Sequence, residues 1–516
     1  MERWDPGAAF PSIHYPAGRL VHAGLGRTAD RWPERIAVTF EDETFSFREM
    51  DALSNAMARL LLEVGVRPGQ RVGIMAMNRP EFVIALYAVL KTGAALVSMS
   101  TAWKDFELGH ALELTEPTFV VHDSTAADLL GGRFKESQLI DVDASDFWTR
   151  LLDRSGERLT VEGLGDDAEA ILVFSSGTTG LPKSVRHTHR SLSAAIEHWR
   201  SSLGLTEDDR FQIATPPFHI LGVLNIVTAV AAGAQVRLHR RFDLDNLLFH
   251  AARDRTTLEM AVAPIALAMS RHSDLERFDL SAMRYIVWGA TPINEAVARL
   301  VTERTGVRFM PGYGTSEVPV ISMNPVRRPQ LWRLDAAGIP VHDVVVRIAD
   351  LDTHATLPDG ESGEIQVRSP STMAGYIPEA ANADAFVDGW YRTGDVGWLE
   401  PGGWVHITDR FKEMIRVNGF QVAPAEIETV LLGSPAVLDC AVFGVEDEET
   451  GEAVIAAVQL AAGAGSSADE LKQLVRTSLA SYKQLSHVAV VDEIPRLPSG
   501  KVLRRTLKEQ WLASTG

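Results

Sequence analysis

Four apolar residues, Ile171–Phe174, run into Ser175-Ser176-Gly177-Thr178-Thr179-Gly180-Leu181-Pro182 and end at Lys183. These residue types suit a polyphosphate. Gly177 and Gly180 let the backbone approach oxygen atoms at positive φ, the hydroxyls of Ser175, Ser176, Thr178 and Thr179 donate hydrogen bonds, and Lys183 adds a mobile charge. The spacing is not that of the Walker loop, because only two residues separate the glycines and Lys183 is followed by Ser184. A Ser/Thr/Gly cluster between strands is otherwise a surface linker, so the chemistry needs further groups.

Such groups recur down the chain. Pro216-Pro217-Phe218-His219-Ile220 offers an imidazole after a strand. In Gly312-Tyr313-Gly314-Thr315-Ser316-Glu317 a ring between glycines can lie flat on a base, and Glu317 can bind Mg²⁺ on phosphates. Asp395, in Trp390-Tyr391-Arg392-Thr393-Gly394-Asp395, carries two acceptor oxygens for two hydroxyls. Asp409-Arg410-Phe411-Lys412 and Pro498-Ser499-Gly500-Lys501 complete the set. Each of these taken alone reads as a turn or a solvated charge.

Together, in this order and across nearly the whole chain, they resemble the adenylate-forming superfamily: acyl-CoA synthetases, 4-coumarate-CoA-ligase-like enzymes, luciferases and peptide-synthetase adenylation domains. The resemblance implies ATP, Mg²⁺ and CoA as cofactors. By it, the Ser175–Lys183 loop holds phosphate with Thr178 in a catalytic role, and His219 stands at the mouth of the acyl pocket. Backbone at Gly289, Ala290 and Thr291 lies against adenine and the acyl group; Gly312, Tyr313, Gly314, Thr315 and Ser316 border the nucleotide; Glu317 is the metal ligand. Asp395 takes the ribose hydroxyls, Arg410 touches ribose or phosphate, Lys412 is a hinge, and Lys501 contacts the acyl carboxylate and phosphate. Arg416, Asn418, Gly419, Phe420 and Gln421 form a strip beside the pantetheine path. Leu221, Trp288, Val318, Pro319 and Val320 face the acid, Trp288 shortening its pocket. Ser184 replaces a usual glycine, so it stiffens the loop exit or crowds the phosphate.

The elements that must position these groups alternate between helix and strand. Phe45–Val64 has helical apolar spacing, Arg71–Met75 follows as a strand, and Glu81–Lys91 is a helix leading to the apolar Ala94–Val97. That order argues for a right-handed parallel crossover. Arg210–Ala214, Gln235–Leu238, Leu258–Val262 and Tyr285–Trp288 are further strands, and within the uncharged run Phe218–Val236 a buried helix begins near Leu221, between the first two. Ala337–Ile377 reads as a small β subdomain. We therefore expect an α/β fold: a large N-terminal domain over 1–410, with two parallel-type sheets plus that subdomain, and a mobile α+β domain over 411–516 hinged near Lys412.

Composition agrees. A net charge of −18 argues against nucleic acid or an anionic membrane as a general partner, so any basic site lies in a cleft. One cysteine, Cys440, excludes an internal disulfide and fits a reducing cytoplasm; there is no signal-peptide pattern and no spanning run. The expected partners are a small carboxylic acid and the thiol of CoA or a carrier protein; a homodimer is compatible with the resemblance.

The implied chemistry is activation of a carboxylate as acyl-AMP, then acyl transfer to a thiol. No aspartate is placed to hold an α-ammonium group, and Leu221 stands where plant hydroxycinnamate ligases commonly have tyrosine. An apolar medium-chain, alicyclic or aromatic acid is expected rather than an amino acid. Transfer to a carrier protein or another nucleophile, or a non-catalytic nucleotide-binding homologue, are the alternatives.

Overall fold

The short apolar runs assemble into two large sheets. The computed structural model describes residues 6–16, 18–159, 161, 163–175, 182–289, 293–410, 413–417, 420–447, 450–461, 464–496 and 501–515. In a seven-stranded sheet, Arg71–Met75 lies between Ala95–Ser98 and Phe119–His122, both pairings parallel, as the strand–helix–strand order predicts. Ala95–Ser98 also pairs in parallel with Glu169–Ser175. From there the sheet turns antiparallel through Lys183–Thr188 to Gly375–Ile377. Ser175 and Lys183 are the last pair before the hydroxyl-rich loop. That loop therefore joins two arms of a hairpin, whereas a Walker loop leads from a strand into a helix.

The helix preceding the crossover spans Phe47–Val64, two residues later than its apolar spacing begins. Ser46 sets the boundary: its side chain accepts the Glu49 N–H, and the Glu49 carboxylate accepts the Ser46 N–H at 2.7 Å. Gly65, at φ 114°, ends it in a conformation that suits glycine.

In a nine-stranded sheet, Ile36–Phe40, Gln235–Leu238, Arg210–Ile213, Leu258–Ala261, Tyr285–Trp288 and Phe309–Tyr313 run parallel in that spatial order. The helix Ile220–Ala232 is apolar on all sides. It is covered by the strands Arg210–Ile213 and Gln235–Leu238 and by the helices Ala23–Arg31 and His189–Leu203. One apolar core cluster runs beneath both sheets, and a second lies under Leu258–Ala261 and Tyr285–Trp288.

The β subdomain differs from its expected bounds. Val345–Ala349, Gly363–Arg368, Phe386–Val387, Trp390–Leu399 and Val405–Arg410 form an antiparallel five-stranded sheet. Gly375–Ile377 leaves it for the edge of the seven-stranded sheet, where Tyr376 and Ile377 join that sheet's apolar surroundings. The C-terminal region has a further five-stranded sheet built on the long hairpin Val437–Asp447 and Gly451–Leu460, with the helices Pro424–Leu432, Ala468–Ser478 and Arg504–Thr515. It buries its own core around Ile415, Ile427, Val442 and Val454. Among the described residues no helix is long and apolar enough to cross a membrane.

Candidate active site

The parallel strands of the nine-stranded sheet end at a cavity of about 560 Å³. Segments just beyond their carboxyl ends line it, where open α/β sheets bind ligands. His219 and Leu221 come from the segment after Arg210–Ile213, Gly289 follows Tyr285–Trp288, and Gly312 to Ser316 close Phe309–Tyr313. Arg410 and Lys501 reach the same cavity from residues nearly a hundred positions apart.

Strand alternation decides which expected acid-facing residues arrive. Val287 and Gly289 line the cavity, so Trp288 points the other way. It is 2% exposed in the second core cluster, edge-on to Phe309 with centroids 5.5 Å apart, and does not shorten the pocket. Pro319 lines the cavity, but Val318 and Val320 are buried in the main core and do not.

A tight turn explains that split. The Thr315 N–H donates to the Val318 carbonyl at 3.0 Å, and the Val318 N–H donates to Thr315 Oγ1 at 3.0 Å. A Cβ at Gly314 would lie 2.1 Å from the Pro319 carbonyl oxygen, a backbone atom. Gly314→Ala is expected to lower unfolding stability by about 1–3 kcal/mol through overpacking. Urea unfolding checks this; an unchanged midpoint would show that the turn relaxes without cost.

Asp395, 5% exposed, lies behind the lining and is tied to it twice. The Tyr313 hydroxyl donates to Asp395 Oδ2 at 2.5 Å, and Arg410 Nε is 3.1 Å from Oδ1. Burial raises the Asp395 carboxyl above the usual carboxylate range, against the opposing pull of Arg410 and the Tyr313 hydroxyl. Burial and the Asp395 charge push the Tyr313 phenol well up, so it stays a donor. Sequence reasoning assigned Tyr313 a stacking face; its hydroxyl also orients the carboxylate.

Lys183, Ser316 and Glu317 gather around two residues that sequence reasoning missed. The Tyr376 hydroxyl donates to Glu317 Oε1 at 2.7 Å, and Lys183 Nζ lies 4.9 Å from the centroid of the Tyr376 ring. Burial and the Glu317 charge hold the Tyr376 phenol well above its usual range. His187, fully buried, has Nε2 at 2.8 Å from the Ser316 carbonyl. A carbonyl only accepts, so the proton sits on Nε2 and Nδ1 is left to accept from the Ser191 hydroxyl at 3.1 Å. This fixes the Ser316 backbone from the strand that begins at Lys183. The signal for both was present as a polar ring in an otherwise apolar or strand-forming run.

Glu317 stands just behind the Ser316 wall, 7% exposed. Among the described residues no group of three His, Cys, Asp or Glu could hold a metal ion, so Mg²⁺ at Glu317 would take its other ligands from phosphate oxygens and water. A single carboxylate that leaves coordination positions for water and phosphate oxygens fits that ion.

Burial pushes His219 down to about 4, leaving a neutral imidazole at the cavity wall. Burial, with the Arg410 guanidinium nearby, lowers the Lys501 ammonium from the usual lysine range. Ser184 is fully buried within the strand Lys183–Thr188, opposite Phe174 and Ile377. Arg416 is exposed, and its N–H donates to Glu452 Oε2 at 2.7 Å. Ser175 closes the hairpin beside Lys183. Ser176, Gly177, Thr178, Thr179, Gly180, Ala290, Thr291, Lys412, Asn418 and Gly419 lie outside the described residues, as do the side chains of Phe420 and Gln421.

Comparison with known proteins matches this geometry to a family. The AMP-binding enzyme profile covers residues 25–377, and that of the AMP-binding enzyme C-terminal domain covers 426–501. A 4-coumarate–CoA ligase 5 of Oryza sativa subsp. japonica is 34% identical over 532 residues, spanning 98% of this chain and 96% of the relative. The o-succinylbenzoate CoA synthetase of Bacillus subtilis, solved with its acyl-adenylate intermediate, is 32% identical at a TM-score of 0.84, covering 94% of this chain and 97% of that one. The amide bond synthetase McbA of Marinactinospora thermotolerans is 30% identical at a TM-score of 0.85, covering 95% and 99%. The chain therefore belongs to the AMP-binding, adenylate-forming enzyme family, as an AMP-forming ligase of the acid–thiol, acyl-CoA-synthetase-like kind.

Proposed function

We propose that this cavity joins a carboxylic acid to the AMP moiety of ATP and then passes the acyl group to the thiol of CoA. The observation that carries the reading is the meeting of Arg410 and Lys501 in one cavity with His219, Tyr313 and Thr315. A carboxylate is a poor acyl donor because oxide would have to leave. In the first step a carboxylate oxygen bonds to the α-phosphorus while the bond from that phosphorus to the bridging β-phosphate oxygen breaks, releasing pyrophosphate. Asp395 would take the ribose hydroxyls, the loop ending at Lys183 would hold the departing phosphates, and Lys501 would neutralise charge gathering at the α-phosphate. Magnesium at Glu317 would add charge neutralisation on the phosphates. No covalent enzyme intermediate is required, so catalysis is positioning and charge stabilisation, with proximity contributing on the order of 7–11 kcal/mol.

In the second step the thiol sulfur bonds to the acyl carbon and AMP leaves. Lys501 must then withdraw to open a path for the thiol. We divide the chain at 410/411 for this reason, with Lys412 as hinge of the C-terminal domain and the strip from Arg416 to Gln421 facing the thiol afterwards. The separate core of residues 415–507 supports that division.

The acid we assign is apolar: medium-chain, alicyclic or aromatic. Leu221, Leu224, Phe242, Met260 and Ile265 supply the cavity's apolar wall, with neutral His219 beside the carboxylate. The test is acid-dependent pyrophosphate release over a panel of acids, with and without CoA. Apolar acids should be turned over, and CoA should accelerate turnover and yield a thioester; amino acids as the best substrates would overturn the assignment. A second reading, acyl transfer to an amine or other nucleophile, is favoured by the likeness to an amide bond synthetase. Pyrophosphate release indifferent to CoA would select it.

A further inference from the structure

Gly375–Ile377 crosses from the β subdomain to the edge of the seven-stranded sheet and pairs Tyr376 with Val185, two residues from Lys183. That pairing brings one phenol against groups from two other segments. Its ring faces the Lys183 ammonium at 4.9 Å, and its hydroxyl donates to Glu317 Oε1 at 2.7 Å. Tyr391, from the five-stranded sheet, donates its hydroxyl to the Tyr376 hydroxyl, which accepts there while donating to Glu317. Tyr376 is 8% exposed and Glu317 7%. Water therefore competes little for the hydroxyl–carboxylate bond, which strengthens when desolvated, while the part-buried Lys183 makes a weaker cation–π contact. Packing alone does not call for the hydroxyl, since phenylalanine fills nearly the same volume.

We propose that Tyr376 is a positioning residue for the nucleotide's phosphates: its ring holds the Lys183 ammonium at the end of the phosphate loop while its hydroxyl orients the Glu317 carboxylate for a divalent cation. The inference rests on the nucleotide-binding reading above. Lys183 and Glu317 carry opposite charges on two sides of the Tyr376 ring and hydroxyl, and the phenol gives each a partner other than its counterpart. When phosphates enter, the lysine exchanges a weak aromatic contact for a phosphate oxygen, and the carboxylate keeps its orientation.

The experiment compares wild type, Tyr376→Phe, Tyr376→Leu, Glu317→Gln and the Tyr376→Phe/Glu317→Gln double variant. Calorimetric titration with ATP at graded Mg²⁺ concentrations is the binding readout, pyrophosphate release the kinetic one, and thermal melting the check on folding. Tyr376→Phe, which keeps the ring, should raise the Mg²⁺ concentration for half-maximal ATP binding about tenfold and leave the KM for the acid unchanged. Tyr376→Leu should weaken ATP binding by about a further two- to fivefold. In the Glu317→Gln background, Tyr376→Phe should add nothing, because the hydroxyl acts through that carboxylate. Folded variants with wild-type Mg²⁺ dependence, or a fall in kcat alone, would overturn the proposal. So would additive losses in the double variant. Wild type that binds MgATP but releases no pyrophosphate with any acid would sink the adenylation reading instead, and the binding titrations would still decide the role of Tyr376.

Discussion

Lys501→Ala should cut acid-dependent pyrophosphate release by about 10²–10³-fold, the scale for removing one donor to developing negative charge in a water-poor site. Lys501 enters the cavity with Arg410, so two like charges share one part-buried site; burial and Arg410 together lower the lysine from its usual range. An arriving carboxylate and α-phosphate relieve that unfavourable pairing, so the ammonium gains most when negative charge accumulates. Transfer from supplied acyl-AMP to CoA, for which Lys501 must leave, should fall by less than about tenfold on this reasoning. The two half-reactions are measured separately, as pyrophosphate release and as thioester formation. Equal losses in both would break the division of labour between the two cavity arrangements. The sign with pH follows: because the folded ammonium loses its proton at a lower pH than a free lysine, adenylation should decline earlier on the alkaline side. Lys501→Arg should lose that decline while recovering only part of the rate, since a planar guanidinium does not replace a compact charge.

Much of the fold around this site is legible in the sequence, because local rules govern its parts. Arg71–Met75, Gln235–Leu238 and Tyr285–Trp288 appear with the expected bounds, each an extended run closed by turn residues. Gly314 was legible as part of a tight glycine turn; the Pro319 carbonyl that demands glycine there shows only in the fold. The facing of a residue was harder. Trp288 and Val287 are equally apolar, and only the register of their strand beside Phe309–Pro311 shows that Val287 borders the cavity. Ser184 likewise reads as the loop's last residue until its pairing with Phe174 and Ile377 buries it in the sheet. Tyr376 was invisible for a deeper reason. Its partners, Lys183 and Glu317, are distant in sequence, and the strand that joins them departs from the β-rich region in which it was counted.

Asp409→Asn should stabilise the protein near pH 7–8 by on the order of 2–3 kcal/mol and have almost no effect near pH 4. Asp409 is the penultimate residue of the last strand before the expected hinge, Val405–Arg410, and is 9% exposed. Its Oδ1 accepts the Arg410 N–H at 2.7 Å, and its Oδ2 accepts the Ala425 N–H at 2.9 Å, in the first turn of the helix Pro424–Leu432. The carboxylate thus links residues on either side of 411–412. Burial nevertheless raises it to about 6; Arg504 and the two N–H groups pull it down, while Glu428 pushes it up. Arg504 is itself engaged by Glu413 and by Glu428 at 2.7 Å, so its charge is shared among three carboxylates. A carboxyl whose folded value lies above its unfolded value binds a proton more tightly in the native state. Wild type should therefore gain stability from this group as pH falls from about 6 to about 4, the usual unfolded value, and lose it again as pH rises. Asparagine is neutral at every pH, so the variant should lack this slope and exceed wild type only where Asp409 is ionised, its gain lessened by the one N–H that the amide nitrogen cannot accept. Urea unfolding at pH 4, 6 and 8 reads the difference directly. A variant less stable than wild type at pH 8 would mean that Arg504 and the two N–H bonds outweigh burial, making the ionised carboxylate a net latch on the closed arrangement.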